Sequence, residues 1–302
     1  MNRQIAISGA SGLVGSKLAS TLEQRGWSVR RLVRSRPRDD VRDIYWNPET
    51  GEIDTARLEG LDVVVHLAGK PLDEQRWTPE VKAAVYASRV AGTTFVSTTL
   101  ARLADPPRLL VSASATDFYA ETAAPVDEAE GRPGTGYLAE MCRDWEAATD
   151  AARQAGIRVV TIRIPSVLAR EGHSILAAFL PLFRWGVGPI LGTGRQLMCF
   201  ISRDDLIRAV EHIIACDRLS GPVNVLAPEP VTNEEFARTL GRVLRRPVFV
   251  RLPGAILRLA MGEVADAILA GDACLRPGKL LATGFRFDHP DLESALRHEL
   301  AQ

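Results

Sequence analysis

The sequence predicts an α/β fold, a doubly wound parallel sheet with helices on both faces and a smaller C-terminal α/β domain. Three observations lead to this prediction. Short β-branched apolar runs alternate with helical patterns through the first half, a glycine-rich turn follows the first apolar run, and the 302 residues exceed the usual size of one domain.

The elements of the first half follow in a regular order. Each apolar run of strand length is followed by a turn and, in most cases, by a longer segment with helical periodicity. The predicted strands are Gln4 to Ser8, Ser28 to Val33, Ile44 to Trp46, Asp62 to Leu67, Arg108 to Ser112 and Ile157 to Ile164. The predicted helices are Leu13 to Arg25, Glu80 to Leu103 and Tyr137 to Gln154.

The alternation weakens after Pro165, which predicts a first domain of residues 1–165 and a second of residues 166–302. We expect the segment at about residues 202–226 to pack back on the first domain. The pattern of the second half predicts helices Asp204 to Cys216, Thr232 to Arg245 with a capping box at its start, one from Pro253 and one from Pro290, and strands Val223 to Leu226 and Val248 to Arg251.

Composition and charge exclude several classes of function. Apolar residues make up 46% and charged residues 25%, and 37 basic residues balance 37 acidic ones. This balance removes the usual electrostatic basis for binding nucleic acid or an anionic membrane. The apolar stretch Ser174 to Leu191 contains an arginine, two prolines and two glycines, so we expect it to be buried or to line a pocket instead of spanning a bilayer.

The cysteines and histidines indicate neither disulfides nor a metal. The four cysteines lie far apart without a C-x-x-C pair, and charged and strand-forming residues from Arg3 onward do not form a secretory leader. We therefore expect a reduced, cytoplasmic compartment. The five histidines show no metal-ligand spacing, so no metal site is predicted.

The turn after the first strand has the pattern of a dinucleotide-binding loop. Its sequence is Gly9-Ala10-Ser11-Gly12-Leu13-Val14-Gly15. Gly9 permits the tight turn, Gly12 lets the backbone approach a pyrophosphate, and Gly15 lets helix and strand pack closely, while the helix N-terminus supplies positive potential. A turn with no ligand is the alternative. The strand before the loop and the helix after it favour a Rossmann-type phosphate site.

The end of the second strand favours NADP(H) over NAD(H). An acidic residue there would bind the ribose 2′-hydroxyl, whereas a basic residue accommodates a 2′-phosphate. This position holds Arg34, followed by Ser35 and Arg36, and Ser11 is near enough in the sequence pattern to add a hydrogen bond. Arg36 and Arg38 are equally consistent with a solvated basic loop.

Several motifs together resemble the extended short-chain dehydrogenase/reductases, the NAD-dependent epimerase/dehydratase superfamily. More narrowly, the chain resembles the epimerase-like subfamily called SDR39U-type or YfcH-type along essentially its whole length. The matching pieces are the glycine loop, Asp62-Val63-Val64-Val65-His66-Leu67-Ala68-Gly69, Arg76-Trp77-Thr78, Ser88-Arg89-Val90, Ser112-Ala113-Ser114-Ala115-Thr116, Cys142-x-x-Trp145-Glu146, Gly192-x-Gly194-Arg195-Gln196, Asp204-Asp205-Leu206 and Gly284-Phe285-x-Phe287.

The resemblance implies roles for individual positions. Asp62 is expected on the adenine side of the cofactor pocket, and Leu67, Ala68 and Gly69 are expected to pass close to the ribose. Ser114 matches the catalytic Ser/Thr that hydrogen-bonds a substrate oxygen. By the same resemblance the first domain is the NADP-binding Rossmann domain and the second the substrate-side domain. Substrate-pocket contacts are implied for Arg76, Trp77, Arg195 and Gln196, for which an ordinary surface or interface position is the alternative.

The catalytic tyrosine and lysine of the superfamily are only half present. Tyr137 matches the tyrosine, but the position one helical turn later is Met141. A free phenol titrates near ~10, and the absent lysine is the group that lowers this pKa. The asparagine of the superfamily's N-V-x-G-T helix is replaced by Arg89. Tyr137 is therefore either a catalytic acid without its lysine or a pocket aromatic, and Lys70, Arg76 or the charge of the oxidised nicotinamide remain as possible substitute cations.

Three functions follow from these patterns. The leading prediction is an NADP(H)-dependent oxidoreductase that acts on a small carbonyl or alcohol, with Ser114 and Tyr137 as catalytic residues. The alternatives are an NADP(H)-binding sensor or scaffold with little or no turnover, and a nucleotide-sugar epimerase or dehydratase. The apolar residues Phe179, Leu182, Phe183 and Trp185 either line a substrate pocket or form the domain's core. The resemblance also implies a homodimer that pairs through the helices Glu80 to Leu103 and Tyr137 to Gln154.

Overall fold

The computed structural model describes residues 3–35, 42–72 and 76–301. The strands are β1 (Gln4–Ser8), β2 (Ser28–Val33), β3 (Ile44–Asn47), β4 (Glu52–Ile53), β5 (Val63–His66), β6 (Leu109–Ala115), β7 (Arg158–Ile164), β8 (Ser166–Leu168), β9 (Pro189–Leu191), β10 (Leu197–Met198), β11 (Phe200–Ser202), β12 (Gly221–Asn224), β13 (Val231–Thr232) and β14 (Val250–Leu252). The helices are α1 (Leu13–Gln24), α2 (Pro79–Leu100), α3 (Tyr137–Ala147), α4 (Asp150–Gln154), α5 (Ile175–Arg184), α6 (Arg203–Ala215), α7 (Asn233–Leu244), α8 (Gly254–Met261), α9 (Val264–Ala270), α10 (Gly278–Ala282) and α11 (Leu292–Ala301).

Within the described residues, eight strands form the central sheet in the order β12-β7-β6-β5-β1-β2-β3-β4. Every neighbouring pair is parallel except β3 and β4, which are antiparallel at one edge. The predicted doubly wound parallel sheet is therefore confirmed. In such a sheet the chain reverses its direction of winding beside β1, and ligands bind beyond the carboxyl ends of the strands at that point.

Apolar layers cover both faces of the sheet. On one face α1 and α6 pack against β1, β5, β6 and β7 through a cluster that includes Leu18, Leu22, Leu206 and Val210. On the other face α2 and α4 contribute Val96, Leu100 and Ala152 to a second cluster. The segment that contains α6 and β12 lies beyond residue 165 in the sequence, yet it completes this sheet. The boundary between domains at residues 165 and 166 remains a prediction.

Helix starts agree with the local sequence signals. Thr78 accepts a hydrogen bond from the backbone N–H of Val81 at the start of α2, and Thr232 and Glu235 form the predicted capping box of α7. Such caps satisfy backbone N–H groups that have no partner within the helix.

The predicted helix Tyr137 to Gln154 was wrong as one continuous element. It is divided into α3 and α4, because the hydroxyl and the backbone N–H of Thr149 both donate to the carbonyl of Glu146, three residues back. This local side-chain bond tightens the turn and interrupts the α-helical ladder. The helix expected from Pro253 is α8, which ends before Gly262, where φ is +65°, and a second helix, α9, follows.

The apolar stretch Ser174 to Leu191 forms α5 and β9. Phe183 is buried in the core of the second half, whereas Trp185 is 85% exposed and Leu182 is also exposed. In the part of the chain that the structure describes, no helix has both the length and the apolar character needed to cross a membrane.

Candidate functional site

The glycine loop lies at the carboxyl end of β1 and allows three close backbone approaches. Gly9 has a φ of +68°, and a Cβ atom on it would lie 2.9 Å from the carbonyl carbon of Leu67. A Cβ on Gly15 would lie 2.2 Å from the carbonyl oxygen of Gly9, so this glycine lets α1 pack on the loop. At Gly12 a Cβ would meet only the Gly9 oxygen, at 3.3 Å, and Gly12 is exposed. The missing side chain at Gly12 therefore leaves space toward solvent, where a ligand can approach the backbone.

The N-terminus of α1 at this loop favours an anion. Gly12 is the N-cap residue and provides no side-chain hydrogen bond, and the first turn contains no acidic residue. The first N–H groups of a helix without such a cap are open to a ligand, and the helix dipole gives this end positive potential. Ser11 is exposed at the same turn.

A cavity of about 390 Å³ opens beside the loop. It extends along the carboxyl ends of the strands from β1 to β7. Its lining residues are Gly9, Gly12, Leu13, Val14, Gly15, Leu67, Arg89, Ala113, Ile164, Pro165, Ser166, Val167, His173, Ser174 and Ile175. We call it the glycine-loop cavity. A larger cavity of about 800 Å³ lies elsewhere, between the β3–β4 edge and the end of α2, and includes none of the predicted site residues.

Buried polar groups hold the strand end beside the loop in place. The hydroxyl of Ser8 accepts hydrogen bonds from the backbone N–H groups of Leu67 (3.1 Å) and Ala68 (3.2 Å), and it lies 2.7 Å from Nδ1 of His66. Burial lowers the pKa of His66 to about 4, so its ring is neutral at physiological pH. The sequence pattern marked His66 as part of a motif but gave no role for it.

The groups predicted to select NADP(H) lie at the carboxyl end of β2. Arg34 and Ser35 are both exposed there, next in the sheet to the strand that carries the glycine loop. Arg36 and Arg38 lie outside the described residues. The position of Arg34 therefore leaves its guanidinium accessible to a ligand that extends from the loop over β2.

The expected adenine contact of Asp62 was wrong. Asp62 directly precedes β5, and its carboxylate accepts a hydrogen bond from the backbone N–H of Gln4, the first residue of β1. This is the amino end of the sheet, about 13 Å from the carboxyl end at roughly 3.3 Å per residue. The carboxylate instead pairs a backbone group at the start of β1.

The hydroxyl of Ser114 takes part in a buried ion-pair network. It donates to Oε1 of Glu146 (2.8 Å), whose carboxylate forms a bidentate pair with Arg163 at 2.7 and 2.8 Å. The Arg163 guanidinium also lies 3.5 Å from the ring centroid of Phe118. Ser114 and Ala113 alternate along β6, and Ala113 is the one that lines the glycine-loop cavity.

Tyr137 also has a protein partner. Its hydroxyl donates to the backbone carbonyl of Lys82 in α2 (2.8 Å), and its ring packs edge-on against Trp77 at 5.7 Å. Burial raises the pKa of Tyr137; the positive charge of Arg89 acts against this rise, and the negative charge of Glu263 adds to it. A phenol with a raised pKa is a weaker acid at neutral pH.

Position 141, where the superfamily has its lysine, is buried in the core. Met141 is 1% exposed and lies on the buried face of α3 with Ala139, Cys142 and Trp145. No ammonium group can occupy this position without burial. Two other cations lie near Tyr137: Nζ of Lys82 is 5.2 Å from its ring centroid, and the charge of Arg89, a lining residue of the glycine-loop cavity, acts to lower the pKa of its phenol.

Two carboxylates near the end of β6 were missed by the sequence prediction. Asp272 accepts hydrogen bonds from the backbone N–H of Cys199 (2.7 Å) and the hydroxyl of Thr116 (3.2 Å). Burial and the charge of Asp117 raise the pKa of Asp272 to about 7. Burial of its carboxyl group also raises the pKa of Asp117, and the positive charge of Arg89 acts against this rise. Asp272 and Asp117 lie far apart in the sequence, and no local signal relates the two.

Among the predicted substrate residues, Trp77 packs against the predicted catalytic Tyr137, whereas the side chains of Arg76 and Gln196 bond to backbone groups elsewhere. Nη2 of Arg76 donates to the carbonyls of Leu259 and Ala260, and Trp77 donates to the carbonyl of Leu72. The side-chain amide of Gln196 donates to a backbone carbonyl in its own turn, and Arg195 is exposed. The lining residues of the glycine-loop cavity include none of Arg76, Trp77, Arg195, Gln196, Phe179, Leu182, Phe183 or Trp185.

No group of three or more His, Cys, Asp or Glu side chains arranged to hold a metal occurs within residues 3–35, 42–72 and 76–301. The four cysteines have free thiols.

The doubly wound sheet, the glycine loop and the cavity at its carboxyl edge define a Rossmann-type protein. Comparison with known families then identifies it further: residues 5–225 match the NAD dependent epimerase/dehydratase family, and residues 252–299 match a domain of unknown function, DUF1731. The chain belongs to the NAD dependent epimerase/dehydratase family. The resemblance to its SDR39U-type members is confirmed.

Individual relatives cover nearly the whole chain. The epimerase family protein Mb2239 of Mycobacterium bovis is 41% identical over 297 residues, which cover 98% of this chain and 97% of that protein. The chloroplastic SDR39U1 homolog of Arabidopsis thaliana is 33% identical over 97% of this chain and 85% of its own. The crystal structure of human epimerase family protein SDR39U1 with NADPH superposes with a TM-score of 0.88, at 28% identity, and 99% of each chain is covered.

Proposed function

We propose that the protein binds NADP(H) in the glycine-loop cavity and passes a hydride between the nicotinamide and a small carbonyl or alcohol. The observation that carries this proposal is the cavity itself, in which bare backbone at Gly12 and the open N-terminus of α1 face a space of about 390 Å³. A pyrophosphate needs such donors without a side chain in front of them. The human relative crystallised with NADPH supports the same choice of cofactor.

The adenosine half of the cofactor is proposed to extend over β2 toward Arg34. A guanidinium and the neighbouring Ser35 hydroxyl are suitable donors for a 2′-phosphate, and an acidic residue that would prefer the 2′-hydroxyl of NAD is missing from this strand end. The nicotinamide half then lies toward the ends of β6 and β7, where Ala113, Ile164 and Pro165 provide an apolar wall.

When bound, the nicotinamide supplies or accepts the hydride, so the chain itself must position the substrate and move a proton. Ser114 and Tyr137 are the proposed residues for this task. In the structure their hydroxyl hydrogens are bonded to Glu146 and to the Lys82 carbonyl, so one of these bonds must open before its hydroxyl can reach a substrate oxygen.

A sensor or scaffold that binds NADP(H) without turnover is the second candidate. The buried Met141 and the engaged hydroxyls of Ser114 and Tyr137 favour it. A nucleotide-sugar epimerase is a weaker third candidate, because that chemistry normally uses the complete tyrosine and lysine pair and NAD.

We also propose a homodimer in a cytoplasmic compartment, paired through the surfaces of α2 and of the α3–α4 segment. A symmetric pairing would place the same helices of two subunits against each other. Light scattering at micromolar protein concentration tests this assembly, and a mass of one chain would contradict it.

The test of the cofactor proposal is a fluorescence titration of the unmodified protein with NADPH, followed by a panel of small carbonyl compounds monitored through NADPH absorbance. We expect saturable NADPH binding whether the protein is an oxidoreductase or a sensor. Consumption of NADPH with any carbonyl supports the oxidoreductase, whereas binding without consumption across the panel favours the sensor. Absence of NADPH binding contradicts both.

A further inference from the structure

Arg89 is a buried cation in the wall of the glycine-loop cavity. It lies on the inner face of α2 and is only 8% exposed. Moving a guanidinium out of water costs free energy unless hydrogen bonds and opposite charges replace the lost hydration. The groups around Arg89 therefore show whether the protein itself supplies this compensation.

Only some of the hydrogen-bond donors of this guanidinium have an acceptor in the protein. Nη1 donates to the carbonyl of Lys70 (2.8 Å) and more weakly to that of Val85 (3.4 Å), and the group lies 5.2 Å from the ring centroid of Trp145. Nε is buried and has no hydrogen-bond partner. No carboxylate in the described ranges forms an ion pair with the guanidinium, and the charge of Asp117 acts on it from a greater distance. An anionic or oxygen-rich ligand in the cavity would complete its hydrogen bonding.

Arg89 differs from the other lining residues of this cavity in its charge. Among the lining residues, Arg89 alone carries a permanent charge, and His173 is the only other side chain that can titrate. A dinucleotide brings two backbone phosphates into such a cavity. The open N-terminus of α1 provides partial positive charge for one end of the pyrophosphate, and Arg89 provides a full one across the cavity.

The topology decides which half of a dinucleotide meets Arg89. The cavity extends from β1 toward β5, β6 and β7, as shown by the lining residues Leu67, Ala113 and Ile164. Arg34 lies in the other direction, at the end of β2. A ligand whose 2′-phosphate contacts Arg34 therefore brings its distal phosphate and nicotinamide ribose to the side of Arg89.

We propose that Arg89 binds the distal phosphate and ribose oxygens of NADP(H), and that it replaces the cation lost where the superfamily's lysine is Met141. The inference rests on the proposed function of the cavity. It also explains why the chain departs from the superfamily pattern at both position 89 and position 141: a cation is gained on α2, and one is lost on α3.

The test compares two ligands that share the adenosine half. NADPH has the distal phosphate and ribose, whereas 2′,5′-ADP ends before them and still contains the 2′-phosphate. The variants are Arg89→Met and Arg89→Gln, the latter keeping a donor for the Lys70 carbonyl, with Arg143→Met on the exposed face of α3 as the matched control. Thermal melting of each variant reports whether the fold is intact.

We expect both Arg89 variants to bind NADPH about 10- to 100-fold more weakly, the range for one charge-assisted contact, and to bind 2′,5′-ADP within about twofold of the unmodified protein. Arg143→Met is expected to change neither affinity. Unchanged NADPH affinity in a folded Arg89 variant overturns the inference and leaves the cofactor proposal standing. Equal weakening of both ligands with a lower melting temperature also overturns it, because Arg89 is then structural. If the unmodified protein binds neither ligand, the proposed function fails.

Discussion

The glycine-loop region and the neighbouring α3 region differ in whether their polar groups already have hydrogen-bond partners within the protein. Around the loop, the glycines, the open N-terminus of α1 and part of the Arg89 guanidinium have no protein partner in front of them. In the α3 region, the hydroxyls of Ser114 and Tyr137 are both bonded to other protein groups, and Met141 is packed in the core. The groups suited to cofactor binding and the groups suited to proton transfer are therefore different residues, and each set can be tested by its own variants.

The largest expected effect is at Gly12. A valine there places its side chain where the pyrophosphate must lie, so Gly12→Val should weaken NADPH binding at least about 100-fold while the melting temperature stays near that of the unmodified protein. Gly15→Val is the contrasting variant. Its Cβ would lie 2.2 Å from the Gly9 carbonyl oxygen, so it should lower the melting temperature as well. Tight NADPH binding by folded Gly12→Val would reject the loop assignment.

The second effect concerns the stability of the α3 region. Glu146→Gln removes the negative charge that pairs with buried Arg163, and we expect a loss of about 3 kcal/mol in the free energy of unfolding. Glu140→Gln on the exposed side of the same helix is the control and should change little. Chemical denaturation measures both. A loss below about 1 kcal/mol for Glu146→Gln would show that the Ser114 network is not structural and free Ser114 for a catalytic role.

The third effect concerns the choice between NADPH and NADH. Arg34→Ala should reduce the preference for NADPH by about 10- to 100-fold, because a charge-assisted contact to the 2′-phosphate contributes roughly 1.5 to 3 kcal/mol. Parallel fluorescence titrations with the two cofactors measure this ratio. Arg31→Ala, an exposed change on the same strand, is the control. An unaltered ratio in Arg34→Ala would place the 2′-phosphate elsewhere.

A smaller effect is expected from Asp272, whose folded-state pKa of about 7 exceeds its ordinary value of 3.8. Between these two values the folded protein holds a proton that the unfolded chain releases. The contribution of this proton to the free energy of unfolding is therefore complete below about pH 4. It decreases as the pH rises from there through 7, at no more than about 1.4 kcal/mol per pH unit. Asp272→Asn should flatten this part of the stability profile. Urea denaturation from pH 4 to 8 gives the comparison, and parallel profiles for the two proteins would refute the raised pKa.

The smallest effect on binding is expected at Tyr137. Tyr137→Phe removes the hydrogen bond to the Lys82 carbonyl, so we expect a loss of about 1 kcal/mol in stability and a change of less than about twofold in NADPH affinity. If an active carbonyl substrate is found, a ~10²- to 10⁴-fold loss of turnover in this variant identifies Tyr137 as the proton donor. Turnover at the original rate would make Tyr137 a wall of the pocket.

Local patterns predicted the elements that depend on local sequence. The bounds of β1 and β2 agree with the prediction to the residue, as does the capping box of α7, because strand alternation and capping act over a few positions. The two-residue strands β10 and β13 were not predicted, since they depend on pairing between segments more than 30 residues apart and have no periodicity of their own.

The candidate site was predictable only where a motif fixes backbone geometry. The glycine loop is such a motif, whereas Asp62 was placed by analogy and lies at the wrong end of the sheet. The burial of Arg89 beside the loop, and the approach of Asp272 to Thr116, result from packing of α2 and of the C-terminal half against the sheet edge. These relations arise from tertiary structure, so one sequence without its fold could not reveal them.

A crystal structure of the protein with NADPH would show the glycine-loop region and the α3 region together. We expect the pyrophosphate against the backbone of Gly12 to Val14, the distal phosphate or ribose within hydrogen-bond distance of Arg89, and the Tyr137 hydroxyl still bonded to the Lys82 carbonyl. A cofactor bound elsewhere, or a Tyr137 hydroxyl turned onto the nicotinamide ribose with Arg89 remote from the ligand, would contradict this expectation.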